Sequence, residues 1–495
     1  ASMWSPVLPG RAAPTGPRAV GRGAGDPGPV PRRDDDLAFA PVTALARWIE
    51  ARQLTSERLT RVYLERLRRF DPQLRCVITL TAEHALAQAR RADAELAAGR
   101  YRGPLHGIPW GAKDLVDTRG IRTTWGAEPY AQRVPDADAH VVRKLDEAGA
   151  VLVAKLSLGA LALNDVWFGG QTRNPWLLEE GSGGSSAGPG AAVAAGLVAF
   201  AIGSETEGSI VDPSMRCGVT GLRPTSGRVG RSGAMTLAWS LDKLGPMARS
   251  VEDTIHVLAA IHGVDRGDPA SVDVPLGFAP GAAIAGLRVG YVPRWLDAAP
   301  ATEVDRAALA AARRLGLTAV AVDVPDWPYA ALNTLLFAEA AAAFETQTLD
   351  GTLDRLGAQV DDAWPNLLRG ARFLSAVDYV QADRLRRKVA ERMAQIFDEV
   401  DVLLVPALRD EILTITNFTG HPALTLPAGF LEVDRARSDW APDPARPLPA
   451  LRPPRRVPHG VSLIGRLYDE GTLAQVGGAL ERAFGVRARR PPGFG

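Results

Sequence analysis

Three short stretches of the chain set serine and lysine into glycine-rich surroundings: Gly107-Ile-Pro-Trp-Gly-Ala-Lys113-Asp114, Gly181-Ser-Gly-Gly-Ser185-Ser186-Ala-Gly188, and Gly203-Ser-Glu-Thr-Glu-Gly-Ser209-Ile-Val-Asp-Pro213. A serine hydroxyl is a poor nucleophile until a neighbouring base takes its proton. Histidine is the usual base, but the seven histidines are scattered, and His106 and His421, each beside Gly or Pro, read as structural loop residues. An amine is the other choice. The chain has 52 Arg and 5 Lys: Lys113, Lys144, Lys155, Lys243 and Lys388. A guanidinium effectively never gives up its proton, so an amine base must be one of those five. Lys113 ends an apolar run, and burial there is what brings a lysine from about 10.4 to near 7 to 8, at a cost of about 3 to 4 kcal/mol. Lys155 ends a strand and is expected to snorkel at a sheet edge, while Lys144 and Lys388 sit on charged helices facing solvent. The chemistry that fits is acyl transfer through an acyl-serine, which needs neither a metal nor an organic cofactor.

Competing patterns are incomplete. Gly184-Ser-Ser186-Ala-Gly188 matches a Gly-x-Ser-x-Gly elbow, yet that turn needs a strand immediately before it and residues 174–182 are turn-like. Ser240-Leu-Asp-Lys243 fits Ser-x-x-Lys, but no Lys-Thr-Gly completes such a site. Gly181-x-Gly183 lacks the third glycine of a dinucleotide fingerprint, and no Walker sequence exists. Without HExxH or paired CxxC spacing no metal site is indicated.

The elements that must position these residues follow from pattern. The 495 residues are 46% hydrophobic and 23% charged, ample for a core, and 57 Lys plus Arg balance 56 Asp plus Glu. A net charge of +1 gives no field to attract nucleic acid or an anionic membrane, so neither is an expected partner. The longest apolar stretch, residues 191–202, is too short to span a bilayer. Ala1 and Ser2 resemble a cloning scar, and residues 1–36, rich in Pro, Gly and Arg without an apolar h-region, are expected to form a flexible arm on a cytoplasmic protein. Thr55 or Ser56 caps a helix with Leu59, Val62, Tyr63, Leu67 and Phe70 on one face. Helices over about 80–99 and 137–148 follow. Strands are expected at 107–113, 151–155, 198–202, 287–292, 318–324, 402–405 and 461–464. Their alternation with helices predicts an α/β protein, a large mixed sheet covered by helices on both faces, in one domain spanning 37–495. The Pro/Arg-rich stretch 435–458 reads as a surface excursion.

Together with Gly218-Val-Thr-Gly-Leu-Arg-Pro-Thr225-Ser-Gly227, Asp378-Tyr379, Gln381-Ala382 and Asn417-Phe-Thr-Gly-His-Pro422, the three stretches resemble the amidase signature family, over about residues 41–488. The resemblance implies a Ser-cisSer-Lys triad: Ser209 as nucleophile, Ser185 as bridging serine after a cis Gly184–Ser185 bond, and Lys113 as base. It also implies an oxyanion hole from the backbone of Thr206, Glu207, Gly208 and Ser209. The family's Gly-Gly-Ser is here Glu207-Gly208-Ser209, its Asp four residues before the nucleophile is Glu205, and its Arg two residues after is Val211. Glu207 must therefore point away or be paired, and Arg216 is the expected partner of Glu205. Trp125, Trp167, Phe168, Trp239 and Phe418 are candidate pocket walls for an aryl or bulky hydrophobic amide. Carbamate hydrolysis, glutamine hydrolysis as the glutaminase chain of a tRNA-dependent amidotransferase, and a non-catalytic binder of the same fold are the alternatives, in a monomer or homodimer.

Overall fold

The computed structural model describes residues 4–11, 15–437 and 448–495. Its centre is an eleven-stranded sheet. In chain order the strands are β1 (Val77–Leu80), β2 (Pro109–Lys113), β3 (Val151–Leu156), β4 (Phe200–Glu205), β5 (Thr220–Arg223), β6 (Lys243–Ala248), β7 (Arg288–Tyr291), β8 (Thr318–Ala321), β9 (Val402–Pro406), β10 (Ala423–Arg435) and β11 (Ala450–Gly465). Across the sheet they run β1-β3-β2-β4-β6-β5-β10-β11-β9-β7-β8. The sheet is mixed: β2 lies parallel to both β3 and β4, whereas β6 is antiparallel to β4 and β5.

Strand alternation sends successive side chains to opposite faces, and here both faces are dry. Phe200 and Ile202 join a core with Val251–Ile261 and Glu470–Phe484 on one side. Ala201, Val151 and Val153 face Ser56–Leu74, Ala82–Ala97 and Ala187–Ala194 on the other. This is the expected doubly covered sheet. Thr55 caps its helix by accepting the Arg58 N–H at 3.1 Å, leaving a stripe of Leu59, Val62, Tyr63, Leu67 and Phe70 buried. No helix among the described residues is long and apolar enough to cross a membrane.

Two expectations change. The amino-terminal segment is not a loose arm where it is described: Arg11 pairs with Asp398 at 2.6 Å, the Gly21 N–H donates to Phe278 O at 2.8 Å, and Trp48 Nε1 donates to Gly28 O at 2.7 Å. Its backbone donors and arginines find fixed partners on the body, which composition alone does not foretell. Of the stretch 435–458, Arg435 and residues 450–458 are strand, since β11 starts at Ala450 and pairs antiparallel with β10, from Arg435↔Ala450 onward; residues 438–447 lie outside the described residues.

Candidate active site

Three neighbouring pieces of backbone converge at the carboxyl ends of β2 and β4. Lys113 is the last residue of β2, and β4 runs beside it in parallel with Ala112 opposite Ile202. Lys113 is fully buried, and its Nζ lies 2.8 Å from Ser185 Oγ, 3.0 Å from Ser186 Oγ, 2.9 Å from Ser204 Oγ and 3.3 Å from Ser204 O. All four partners are neutral oxygens. Burial pushes the Lys113 ammonium well below its ordinary range, with Glu205 and Asp242 pulling it part of the way back. Ser204 is a contact that motif reading misses; it occupies the β4 position beside Lys113, and the signal for it was the strand itself.

Ser185 follows a cis peptide bond from Gly184. Gly184 is packed so tightly that a Cβ would sit 1.9 Å from Asn164 O, so only glycine fits. Ser186 ties the pieces together: its hydroxyl donates to Ser204 O at 3.0 Å and accepts the Ser204 N–H at 3.1 Å, and its own N–H donates to Ser209 O at 3.1 Å. That last bond joins the Ser209 backbone to the residue that follows Ser185.

The turn from Thr206 to Ser209 links β4 to the helix Val211–Cys217. Gly208 adopts φ +88, a conformation glycine takes without strain. Among the described residues, the Glu207, Gly208 and Ser209 N–H groups meet no protein acceptor. Glu205 braces the turn from inside. Its Oε2 accepts the Ile210 and Val211 N–H groups at 2.7 and 3.0 Å, and its Oε1 accepts from Arg223 at 2.5 Å and Asn417 at 2.9 Å. Burial alone would raise the Glu205 carboxyl, but the charge and hydrogen bond of Arg223 outweigh it and hold the group at about 2. The partner of Glu205 is thus Arg223 on β5 and not Arg216, which stands one helical turn from Asp212 at 3.8 Å. Glu207 turns aside from the serines, accepting from Thr414 Oγ1 at 2.6 Å, and burial raises its carboxyl.

Lys155 also departs from expectation. It lies on β3, inside the sheet, and is fully buried, pairing with Asp114 at 3.3 Å and donating to Val116 O at 2.8 Å and Thr123 Oγ1 at 2.5 Å. Burial lowers Lys155, with Asp114 opposing, and burial raises Asp114, with Lys155 opposing. Asp114 follows Lys113 directly in sequence, yet its carboxylate is engaged by Lys155 and by Thr124, whose N–H and hydroxyl donate at 2.7 and 2.6 Å. Ser240, the serine of Ser-x-x-Lys, donates to Glu339 at 2.5 Å and accepts from Arg386 at 2.9 Å.

A family model described as Amidase matches residues 58–474. The chain belongs to the amidase family. Amide hydrolysis is therefore its reaction class. Among relatives of the amidase, the glutamyl-tRNA(Gln) amidotransferase chain of the A type from Roseiflexus sp. (strain RS-1) is 35% identical, the match covering 89% of this chain and 95% of the relative. The putative amidase AmiD of Mycobacterium bovis is 36% identical, with 93% and 98% covered. The solved peptide amidase of Stenotrophomonas maltophilia superposes with a TM-score of 0.76 at 32% identity, over 92% of this chain and 98% of that one.

The candidate pocket aromatics divide. Trp239 borders a cavity of about 250 Å³ that touches Ser204 and Thr206 and has walls of Leu115, Met235, Leu237 and Leu244. Trp167 borders a second cavity of about 270 Å³ with Leu163 and Trp364, and Phe168 packs edge-on against it, 4.9 Å between centroids. The segment carrying Ala160, Ala162 and Leu163 separates the two cavities. Trp125 borders neither. It is clamped between Tyr130, 4.5 Å away, and the Arg133 guanidinium, 4.6 Å above its ring. Phe418 is core: fully buried on the helix Asp410–Thr419 among Ile412 and Ile415, it faces neither cavity. Its spacing from Ile415, three residues along a helix, was the sign of burial.

Proposed function

We propose that this amidase hydrolyses the C–N bond of a carboxylic amide through an acyl-Ser209 intermediate, with Ser185 as proton relay and Lys113 as base. The observation that carries the proposal is the buried Lys113 amine, 2.8 Å from Ser185 Oγ and surrounded by neutral oxygens. A lysine so placed is biased toward the free amine, the form that can accept a proton. Ser209 Oγ attacks the carbonyl carbon while its proton passes to Ser185 Oγ, whose own proton passes to Lys113 Nζ. The negative charge gathers on the former carbonyl oxygen, where the free N–H groups of the turn Thr206–Ser209 stabilise it; such donors are worth about 3 to 4 kcal/mol each. Lys113 then returns the proton through Ser185 to the leaving nitrogen, the C–N bond breaks, and water repeats the sequence on the acyl-enzyme.

The cavity beside Trp239 favours an aryl or bulky hydrophobic group, because its walls are mainly apolar and its Arg231 and Asp268 pair with each other at 2.7 Å. That pairing leaves neither to hold the ammonium and carboxylate of free glutamine. Carbamates share the tetrahedral chemistry and belong in the substrate panel. Two buried free cysteines, Cys76 and Cys217, suit a reducing compartment, and we take the cytoplasm as its location.

The test is release of p-nitroaniline from acyl anilides by wild type, Ser209→Ala and Ser185→Ala, together with labelling by a fluorophosphonate. Both variants should lose at least about a thousandfold in kcat/KM, and only Ser209→Ala should lose the label. Equal activity in wild type and Ser209→Ala would overturn the reading.

A further inference from the structure

The cavity beside Trp239 has four charged side chains in its wall: Arg231, Asp242, Lys243 and Asp268. Three are internally satisfied. Arg231 is locked to Asp268 and to the carbonyls of Trp239 and Asp242 at 2.6 and 3.1 Å. Asp242 accepts from Thr206 Oγ1 at 2.6 Å and from the Leu237 and Ala238 N–H groups at 2.8 and 3.0 Å. Lys243 differs: it is 2% exposed, and among the described residues its Nζ has no hydrogen-bond partner. It stands on β6 directly opposite Glu205, whose two oxygens are already taken by Arg223, Asn417 and two backbone N–H groups. A buried donor left unmade costs about 1 to 3 kcal/mol, which a ligand supplying an acceptor would recover.

Resting on the amidase reading above, we propose that Lys243 is a specificity-determining residue, and that the substrates this enzyme prefers carry a neutral hydrogen-bond acceptor, such as a ketone, ether or second amide carbonyl, on the portion that enters the Trp239 cavity. The acceptor is neutral for two reasons. Burial and then the nearby Arg223 push the Lys243 ammonium well down, against Glu205 and Asp242, toward a free amine that donates without a full charge. A carboxylate on the ligand would also meet the field of Glu205, Glu207 and Asp242 around that amine. Apolar walls then hold the remainder of the group, so binding combines a hydrophobic body with one polar reading head.

The experiment uses matched anilide pairs in which a keto carbonyl replaces a methyl-bearing carbon at successive positions along the acyl chain or on the aniline ring. In wild type at least one keto member should exceed its hydrocarbon match in kcat/KM by about tenfold, the equivalent of one hydrogen bond to a buried, otherwise unpaired group. Lys243→Met should bring that ratio close to one. The same pairs are titrated calorimetrically against Ser209→Ala and Ser209→Ala/Lys243→Met, which reads recognition without turnover. Lost discrimination in the double variant supports the assignment even if the catalytic scheme fails. No preference at any position in wild type, or a preference that survives Lys243→Met in either measurement, overturns it while leaving the catalytic scheme standing.

Discussion

Replacing Lys113 by arginine tests the proposed base directly. The substitution keeps a nitrogenous cation in a chain that uses arginine nearly everywhere else, but a guanidinium stays protonated above pH 12 and cannot accept from Ser185. Removing a general base costs about 10²- to 10⁴-fold, or about 3 to 5 kcal/mol of barrier. A second cost is stability. The four groups around Nζ are hydroxyl and carbonyl oxygens, with no carboxylate in contact, so a permanent charge there pays several kcal/mol of desolvation. Lys113→Met separates the two effects, because it removes the base and leaves a neutral side chain of similar length. Both variants should be inactive in anilide release, and only Lys113→Arg should be markedly destabilised in urea. The pH dependence has a definite sign. The folded-state amine titrates below the unfolded value of about 10.4, so the unfolded chain binds more protons between the two. The stability linked to Lys113 is complete above that unfolded value and is lost as pH falls through the folded one. The advantage of Lys113→Met over wild type therefore grows toward acid, while wild-type kcat/KM falls as the amine protonates. A Lys113→Arg enzyme that folds and keeps more than about a tenth of wild-type kcat/KM would refute the assignment, since the general-base term alone exceeds that.

Further expectations concern the supports of the site. Arg223→Met strands the buried Glu205 carboxylate and should cost about 3 to 5 kcal/mol in equilibrium denaturation, part of it recovered by adding Glu205→Gln. Lys155→Met should destabilise through Asp114, and Lys155→Met/Asp114→Asn should be closer to wild type than the single change; an additive double-mutant cycle would contradict the pairing. Gly184→Ala drives a methyl into the Asn164 carbonyl and should cut activity at least about a hundredfold even where the protein still folds. Trp239→Ala should raise KM for aryl amides about tenfold with kcat largely kept, and an unchanged KM would remove Trp239 from the binding wall.

The proximity of Lys113 to Ser185 was legible because both depend on residue type and local sequence: five lysines, one of them at the end of an apolar run, and serines set among glycines. The partners of those groups were not. Glu205 finds Arg223 through the sheet, where β6 lies between the strands that carry them, whereas Arg216 looked nearer along the chain. The strand β6 itself was missed, since Gly245 and Pro246 argue against a central strand, and yet Pro246 sits opposite Ile202 in the ladder. Lys155 was misplaced because β3 ends look exposed in one dimension, while β1 closes the sheet outside it. Among the aromatics, composition could not separate Trp239, which borders a cavity, from Phe418, which fills the core.

The strand order has a further effect on when the molecule stops working. β2, β4 and β6 have other strands on both sides, with β1 and β8 at the two margins. Local opening begins where backbone hydrogen bonds are fewest and most exposed, and it need not reach the interior of a sheet. Amides at the margins should then exchange with solvent through small fluctuations, whereas those beside Lys113 and Ser204 exchange only when the centre of the sheet opens. A molecule frayed at either margin would keep its chemistry, so inactivation and opening of that centre should be one event.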